Sequence, residues 1–174
     1  MKKIVFASVL SIFICTLFMT SALQAQTTFP NTAEGAKQLL EQFLKPGADY
    51  KTLTNSLRPT QADFDAFFKE TAVQKAYQGY QPPWNAGAIV VKNNPGQTAV
   101  ILTAATTDEL KTATGNASAF PGGYAQVAPH LKSGVTVYRF KFVKPGETLG
   151  MAYDGLVYLN NHWVIFPKSW RVLK

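Results

Sequence analysis

The sequence predicts an α+β domain in which N-terminal helices pack on a curved, mainly antiparallel sheet of about five strands. Apolar residues at helical spacing dominate residues 31–80, whereas β-branched and aromatic residues dominate residues 88–173. The turn pairs Pro145-Gly146 and Asn160-Asn161 divide the last part of the chain into three β-rich runs. Runs joined by such turns are typical of an antiparallel meander.

The first 25 residues have the pattern of a secretory signal peptide. Lys2 and Lys3 precede an apolar run, and small residues follow it. We expect cleavage after Ala25, with Ala22 as the alternative. Residues 26–174 then form a single domain that is exported to the periplasm or the extracellular space, and the apolar run is too short to predict a membrane span.

Composition narrows the chemistry of the exported domain. Cys15 is the only cysteine and lies within the signal peptide, so neither disulfides nor thiolate chemistry are expected after cleavage. Lys2 and Lys3 also leave with the signal peptide, so 15 basic and 10 acidic residues remain, a net charge of +5. The lysines are scattered, which favours a solvated surface over a nucleic-acid interface.

Three helices are predicted before the sheet. Asn31 and Glu34 have capping-box spacing ahead of a helix that ends at Pro46-Gly47. A shorter helix runs between Asp49 and Pro59. The third begins at Thr60 and carries an aromatic stripe as far as Tyr80, and Gly79 and then Pro82-Pro83 are expected to stop it. Its aromatic stripe predicts packing against the sheet, and comprises Phe64, Phe67, Phe68, Tyr77 and Tyr80.

The segment after these helices is expected to begin the sheet. Ala88–Lys92 and Thr98–Ala105 flank a turn-rich stretch and predict a hairpin. Residues 106–134 are irregular, with helical turns expected at Asp108–Lys111 and at Tyr124–Leu131. Irregular segments between strands often carry binding side chains.

The Asn160-Asn161 turn predicts the register of the last hairpin. The expected opposing pairs are Leu159 with His162, Tyr158 with Trp163, Val157 with Val164, and Leu156 with Ile165. Both faces of the sheet are then apolar, and the N-terminal helices are expected to cover one of them. The second face needs a ligand, another subunit, or a sheet curved over itself.

This order of elements resembles the nuclear-transport-factor-like superfamily, in which N-terminal helices pack on a curved sheet to form a cone. The closing segment GETLGMAYDGLVYLNNHWVIFPKSWRV is also similar to the ends of uncharacterised exported bacterial proteins. The resemblance implies an internal cavity. It also implies one of two functions, because some members are isomerases, dehydratases or cyclases and others are binding or accessory domains.

Asp154 is the first candidate for chemistry, because it interrupts an apolar strand and a buried carboxylate can act as a general base. His130 could pair with it, and Tyr153 or Tyr138 could donate a hydrogen bond to a developing oxyanion. The alternatives are that His130 is an exposed loop residue, and that Asp154 lies at a solvated edge or accepts a hydrogen bond from Arg139 or Arg171. His162, beside the turn, is expected to be structural.

Four aromatic residues are candidates for binding an apolar ligand: Trp84, Tyr124, Tyr138 and Trp170. The alternative is that they fill the core of a domain without disulfides. His130 and His162 show no metal-ligand spacing, and nucleotide, hydride and serine-hydrolase motifs are absent from the sequence, so we expect neither metal nor cofactor.

The favoured function is that of an exported small binding or accessory domain for an unknown small apolar molecule or protein partner. The alternative is an enzyme of the cone-shaped class using Asp154 and His130. A homodimer formed through the spare sheet face is compatible with both.

Overall fold

A computed structural model describes residues 29–174. The predicted signal peptide and both of its predicted cleavage sites lie outside the described residues. The α+β class is confirmed. The helices are α1 (Ala33–Glu41), α2 (Tyr50–Asn55), α3 (Gln61–Phe67), α4 (Glu70–Asn85), α5 (Thr107–Thr112) and α6 (Tyr124–Val127). The strands are β1 (Ala99–Thr106), β2 (Thr136–Val143), β3 (Gly150–Leu159) and β4 (His162–Ile165).

The sheet is antiparallel throughout, in the order β1-β2-β3-β4. The described residues therefore contain four strands rather than the predicted five, because residues 88–92 do not join the ladder. The Val91 N–H donates to the hydroxyl of Thr54 at 2.9 Å, and the Lys92 N–H donates to the hydroxyl of Tyr153 at 3.0 Å. Side chains thus satisfy backbone donors that a hairpin partner would otherwise take.

The predicted register of the last hairpin is confirmed. Leu159 pairs with His162, and the pairing continues to Leu156 opposite Ile165. Asn160 and Asn161 have φ values of 46° and 65°. Asparagine tolerates this left-handed conformation, so the two-residue turn fixes which side chains share a face.

The third predicted helix is divided in two. Phe68 is extended (φ −95°, ψ 149°) and forms an isolated bridge with Leu131, so α3 ends before it and α4 begins after it. The bridge forms because the Lys69 N–H donates to the carbonyl of His130 at 2.8 Å. Prolines 82 and 83 lack a donor but keep their carbonyls, and α4 runs through them to Asn85.

The N-cap of helix α1 lies one residue later than predicted. Thr32, rather than Asn31, is the N-cap, and its hydroxyl accepts the Gly35 N–H at 3.0 Å. The expected helical turns near residues 108 and 124 are present as α5 and α6.

Both faces of the sheet are apolar, and the chain's own elements cover both. On one face, Phe43 after α1 packs on Phe142 of β2, with ring centroids 6.2 Å apart. The indole of Trp163 on the same face donates to the carbonyl of Phe29 at 3.0 Å. The sequence predicts that a ligand, another subunit or the curved sheet itself covers the second face; in the structure, α1 packs on one face and α3 and α4 pack on the other.

The opposite face is covered by α3, α4 and the irregular segment. Phe166, just after β4, lies 5.1 Å from the ring of Phe64 and 4.8 Å from that of Phe67. The guanidinium of Arg139 donates to the carbonyl of Ala119. Burial of each large aromatic side chain contributes about 1.5 to 3 kcal/mol, so this layer is the centre of the core.

Candidate functional site

A β-bulge at Gly155 shapes the middle of β3. Tyr138 pairs with Leu156 and Arg139 pairs with Asp154, which leaves Gly155 as the extra residue. Gly155 has φ +83°, and a Cβ atom there would collide with the carbonyl of Phe166. The bulge places Asp154 and Leu156 on opposite faces, although residues two apart share a face in a regular strand.

Asp154 points into the layer between the sheet and the helices, and its exposed fraction is 6%. Its Oδ1 accepts the hydroxyl of Tyr124 at 3.1 Å and the backbone N–H of Lys168 at 3.1 Å. Neither Arg139 nor Arg171, the partners expected from the sequence, donates a hydrogen bond to it within residues 29–174. The carboxylate instead joins β3 to α6 and to the loop after β4.

Asp154 is a hydrogen-bond acceptor whose surroundings disfavour its ionised form. Burial raises the pKa of Asp154, against the hydrogen bonds from Lys168 and Tyr124 and the positive charges of Lys168 and Arg139. Burial, together with the negative charge of Asp154, raises the pKa of Tyr124 well above its ordinary value. Tyr124 therefore stays protonated and keeps donating.

The loop after β4 is fixed from two sides. Lys168 has the left-handed conformation (φ 53°, ψ 45°), which is uncommon for a residue with a side chain. Asp154 binds its N–H, while the Tyr80 hydroxyl of α4 lies 3.0 Å from the carbonyl of Pro167 and 3.1 Å from Oγ of Ser169. Burial raises the pKa of Tyr80, which keeps that hydroxyl protonated.

A cleft of about 280 Å³ opens beside this loop, and we call it the α4 cleft. It is lined by Tyr80 and Pro83 of α4, by residues 88–91, by Tyr153 of β3, and by Pro167, Lys168, Arg171 and Val172. Most of this lining is apolar, and Val90 is unusually exposed at 38%. The charged side chains that line it are those of Lys168 and Arg171.

The three candidate catalytic residues do not form one constellation. Tyr153 lies next to Asp154 on the strand and therefore faces the other way. Its ring stacks on Phe140 at 5.2 Å, and its hydroxyl donates to the carbonyl of Lys92 at 2.8 Å. His130 is exposed, and no hydrogen bond joins its side chain to Asp154 in the part of the chain that the structure describes.

The four candidate ligand-binding aromatics are divided among three places. Tyr124 and Trp170 make an edge contact at 5.3 Å, close to Asp154. Tyr138 packs edge-on against Trp163 at 5.5 Å on the α1 side of the sheet. Trp84 is buried beneath the guanidinium of Arg58, which lies 5.9 Å from the ring centroid. None of the four lines the α4 cleft.

Tyr153 is the one lining residue that the sequence singled out as a candidate, and the other lining residues were missed. Tyr80 belongs to the aromatic stripe of α4, and the helical periodicity of that stripe predicts a core position and nothing more. Residues 88–91 have a strand pattern, and Lys168 and Arg171 are two scattered cations in the sequence. Pro83 and Pro167 were the signals in the sequence, because proline marks places where regular structure ends.

His162 has the structural position expected for it. Its Nε2 lies 3.1 Å from Oδ2 of the fully buried Asp63, whose Oδ1 accepts the amide of Asn160 at 2.7 Å. Burial alone would raise the pKa of Asp63, but hydrogen bonds from Thr60 and Asn160 and the influence of His162 together lower it. This cluster attaches the β3–β4 turn to the start of α3.

Within residues 29–174, no group of three His, Cys, Asp or Glu side chains is placed to hold a metal ion. No helix in the same range combines the length and the hydropathy needed to cross a membrane.

Comparison with known proteins leaves the family open. No protein-family model, curated protein or solved structure matches this chain. The similarity to the nuclear-transport-factor-like superfamily therefore stays a prediction from the order of elements.

Proposed function

We propose that this protein is an exported small binding domain and that the α4 cleft is its binding site for a small apolar molecule. The observation that carries the proposal is an apolar cleft placed beside a loop of fixed, uncommon conformation. Its volume of about 280 Å³ is close to the lower end of the range for small-molecule sites, roughly 300 Å³.

Hydrogen bonds within the chain hold the walls of the cleft in place. Asp154 and Tyr80 fix the loop at Pro167 and Lys168, as described above. On the other side, Val91 and Lys92 are attached by their backbone N–H groups to side chains of α2 and β3. A preformed site loses little conformational entropy on binding, so more of the contact energy appears as affinity.

The cleft also presents apolar surface that a ligand would remove from water. Val90 is exposed, and Ile89 and Val172 are half-buried at the cleft. Each Å² of apolar surface buried contributes about 25 cal/mol. The aromatic rings of Tyr80 and Tyr153 add flat apolar walls.

The alternative of acid–base catalysis at Asp154 has less support. Its Oδ1 already accepts two hydrogen bonds, and His130 is not hydrogen-bonded to it in the described chain. A general base needs to reach the proton that it removes, whereas Asp154 is nearly buried. We therefore assign Asp154 a positioning role in the proposed binding site.

The proposal is tested by titrating the purified protein with n-octanol and n-octanoate, followed by heteronuclear NMR. Saturable shifts are expected at Ile89, Val91 and Val172. The variant Ala88→Phe should weaken them, because Ala88 is an exposed residue of the lining. Ala62→Phe, an equal enlargement on the exposed surface of α3, should leave them unchanged. Absence of saturable shifts with both compounds would contradict the proposal.

A further inference from the structure

We infer that the ligand of the α4 cleft is a small amphipathic anion, with an apolar body against the cleft walls and a carboxylate bound by Lys168 and Arg171. This inference rests on the proposed binding function and adds the chemical class of the ligand. The cleft combines an apolar lining with two cations from one short loop.

The charge of the lining is of one sign. Lys168 and Arg171 line the cleft, and no aspartate or glutamate does. Neither cation belongs to an ion pair within residues 29–174, where Lys37 pairs with Glu41 and His162 pairs with Asp63. Both side chains are exposed, so they meet an incoming anion without first breaking a protein contact.

Asp154 does not remove this charge complementarity. Its Oδ1 is engaged by the hydroxyl of Tyr124 and by the backbone of Lys168, and the ammonium group of Lys168 is not within salt-bridge distance of it. The carboxylate therefore fixes the lysine backbone, while the lysine side chain remains available at the cleft.

The backbone conformation of the loop also supports an anion site formed by Lys168 and Arg171. Lys168 adopts left-handed φ and ψ angles, which are unfavourable for a residue with a Cβ atom unless surrounding contacts stabilise them. Asp154 and Tyr80 supply those contacts. The 3₁₀ turn Ser169–Arg171 then follows directly and carries the second cation on the same short loop.

A carboxylate fits these two groups better than an alcohol or an amine. A guanidinium presents paired donors that match the two oxygens of a carboxylate, and an ammonium adds a third donor. An amine would be repelled by both cations. An alcohol would bind through its apolar chain alone.

Isothermal titration calorimetry of the full protein with n-octanoate, n-octanol and n-octylamine tests this inference. The three compounds share a chain and differ in the head group. We expect octanoate to bind about fivefold more tightly than octanol, because two exposed ion pairs each add a modest attraction. Octylamine should bind most weakly of the three. Added salt should weaken the binding of octanoate alone, because it screens the attraction between the carboxylate and the two cations.

The variant Lys168→Gln/Arg171→Gln should lose the preference for octanoate over octanol. Lys111→Gln, at an exposed site on α5, is the matched control and should retain the preference. Equal affinities of octanol and octanoate for the native protein would overturn the inference while leaving the binding function intact. Tighter binding of octylamine would also overturn it, and failure of all three compounds to bind would overturn both proposals.

Discussion

Oδ1 of Asp154 accepts the backbone N–H of Lys168 at 3.1 Å, and this contact connects the middle of β3 to the loop that lines the α4 cleft. Lys168 is left-handed at that point. A buried carboxylate that satisfies a backbone donor can stabilise a conformation that sequence alone disfavours. The shape of the cleft therefore depends on a residue that does not line it.

Replacement of Asp154 separates its role as an acceptor from its charge. Asp154→Ala leaves the N–H of Lys168 and the hydroxyl of Tyr124 without their partner, and we expect a loss of about 1 to 3 kcal/mol of unfolding free energy. Asp154→Asn keeps an oxygen acceptor and should stay within about 1 kcal/mol of the native protein. Urea denaturation measures both, and equal losses in the two variants would contradict the positioning role.

The bulge at Gly155 should not accept a side chain. Gly155→Ala places a Cβ atom against the carbonyl of Phe166 and also forces alanine to φ +83°. Gly146→Ala is the control, because Gly146 has φ +78° with no atom near the added Cβ. We expect Gly146→Ala to lose about 1 to 2 kcal/mol and Gly155→Ala clearly more, as measured by thermal unfolding. Similar losses would show that the close approach is unimportant.

The hydroxyl of Tyr80 should contribute more than that of Tyr77, one turn earlier on α4. Tyr80 is buried and bonds to the Pro167 loop, whereas Tyr77 packs edge-on against Phe64 and no hydrogen bond involves its hydroxyl among the described residues. Tyr80→Phe should therefore reduce the unfolding free energy by about 1 kcal/mol, and Tyr77→Phe should change it little. Hydrogen exchange at residues 168–172 should accelerate only in Tyr80→Phe.

Asp63 and Asp154 should affect acid stability in opposite directions. The pKa of Asp63 is lowered by folding, so its stabilising contribution is present above about pH 3.8 and is lost as the pH falls through its lower folded value. The pKa of Asp154 is raised by folding, so its contribution increases as the pH falls through the raised value towards 3.8.

Chemical denaturation across the acid range tests this pair. Asp63→Asn should make the loss of stability below about pH 3.8 shallower than in the native protein, because its titration is removed. Asp154→Asn should remove the opposing gain above pH 3.8 and make the acid loss steeper. Slopes that change in the same direction would show that one of the two pKa directions is wrong.

Local chemistry explains what could be predicted from the sequence. The Asn160-Asn161 turn determines the pairing of Tyr158 with Trp163, because its φ values and its length admit one register. Asp154 is conspicuous in the sequence because a carboxylate follows Tyr153 within an apolar strand. Both signals depend on residues within a few positions of one another.

The features that could not be predicted from the sequence depend on contacts between residues that are distant along the chain. Residues 88–92 have the composition of a strand, but the hydroxyls of Thr54 and Tyr153 take their donors. The break at Phe68 depends on Leu131, and the partner of Asp154 on α6 is Tyr124. Local sequence patterns do not predict contacts between residues so far apart in the chain. The α4 cleft is formed by such contacts, so it could not be predicted from the sequence.

A crystal structure of the protein with n-octanoate tests the central claim most directly. We expect the carboxylate within hydrogen-bond distance of Lys168 or Arg171, and the hydrocarbon chain against Ile89, Val91 and Val172. An empty α4 cleft at saturating octanoate, or octanoate bound only at another place on the protein, would contradict it.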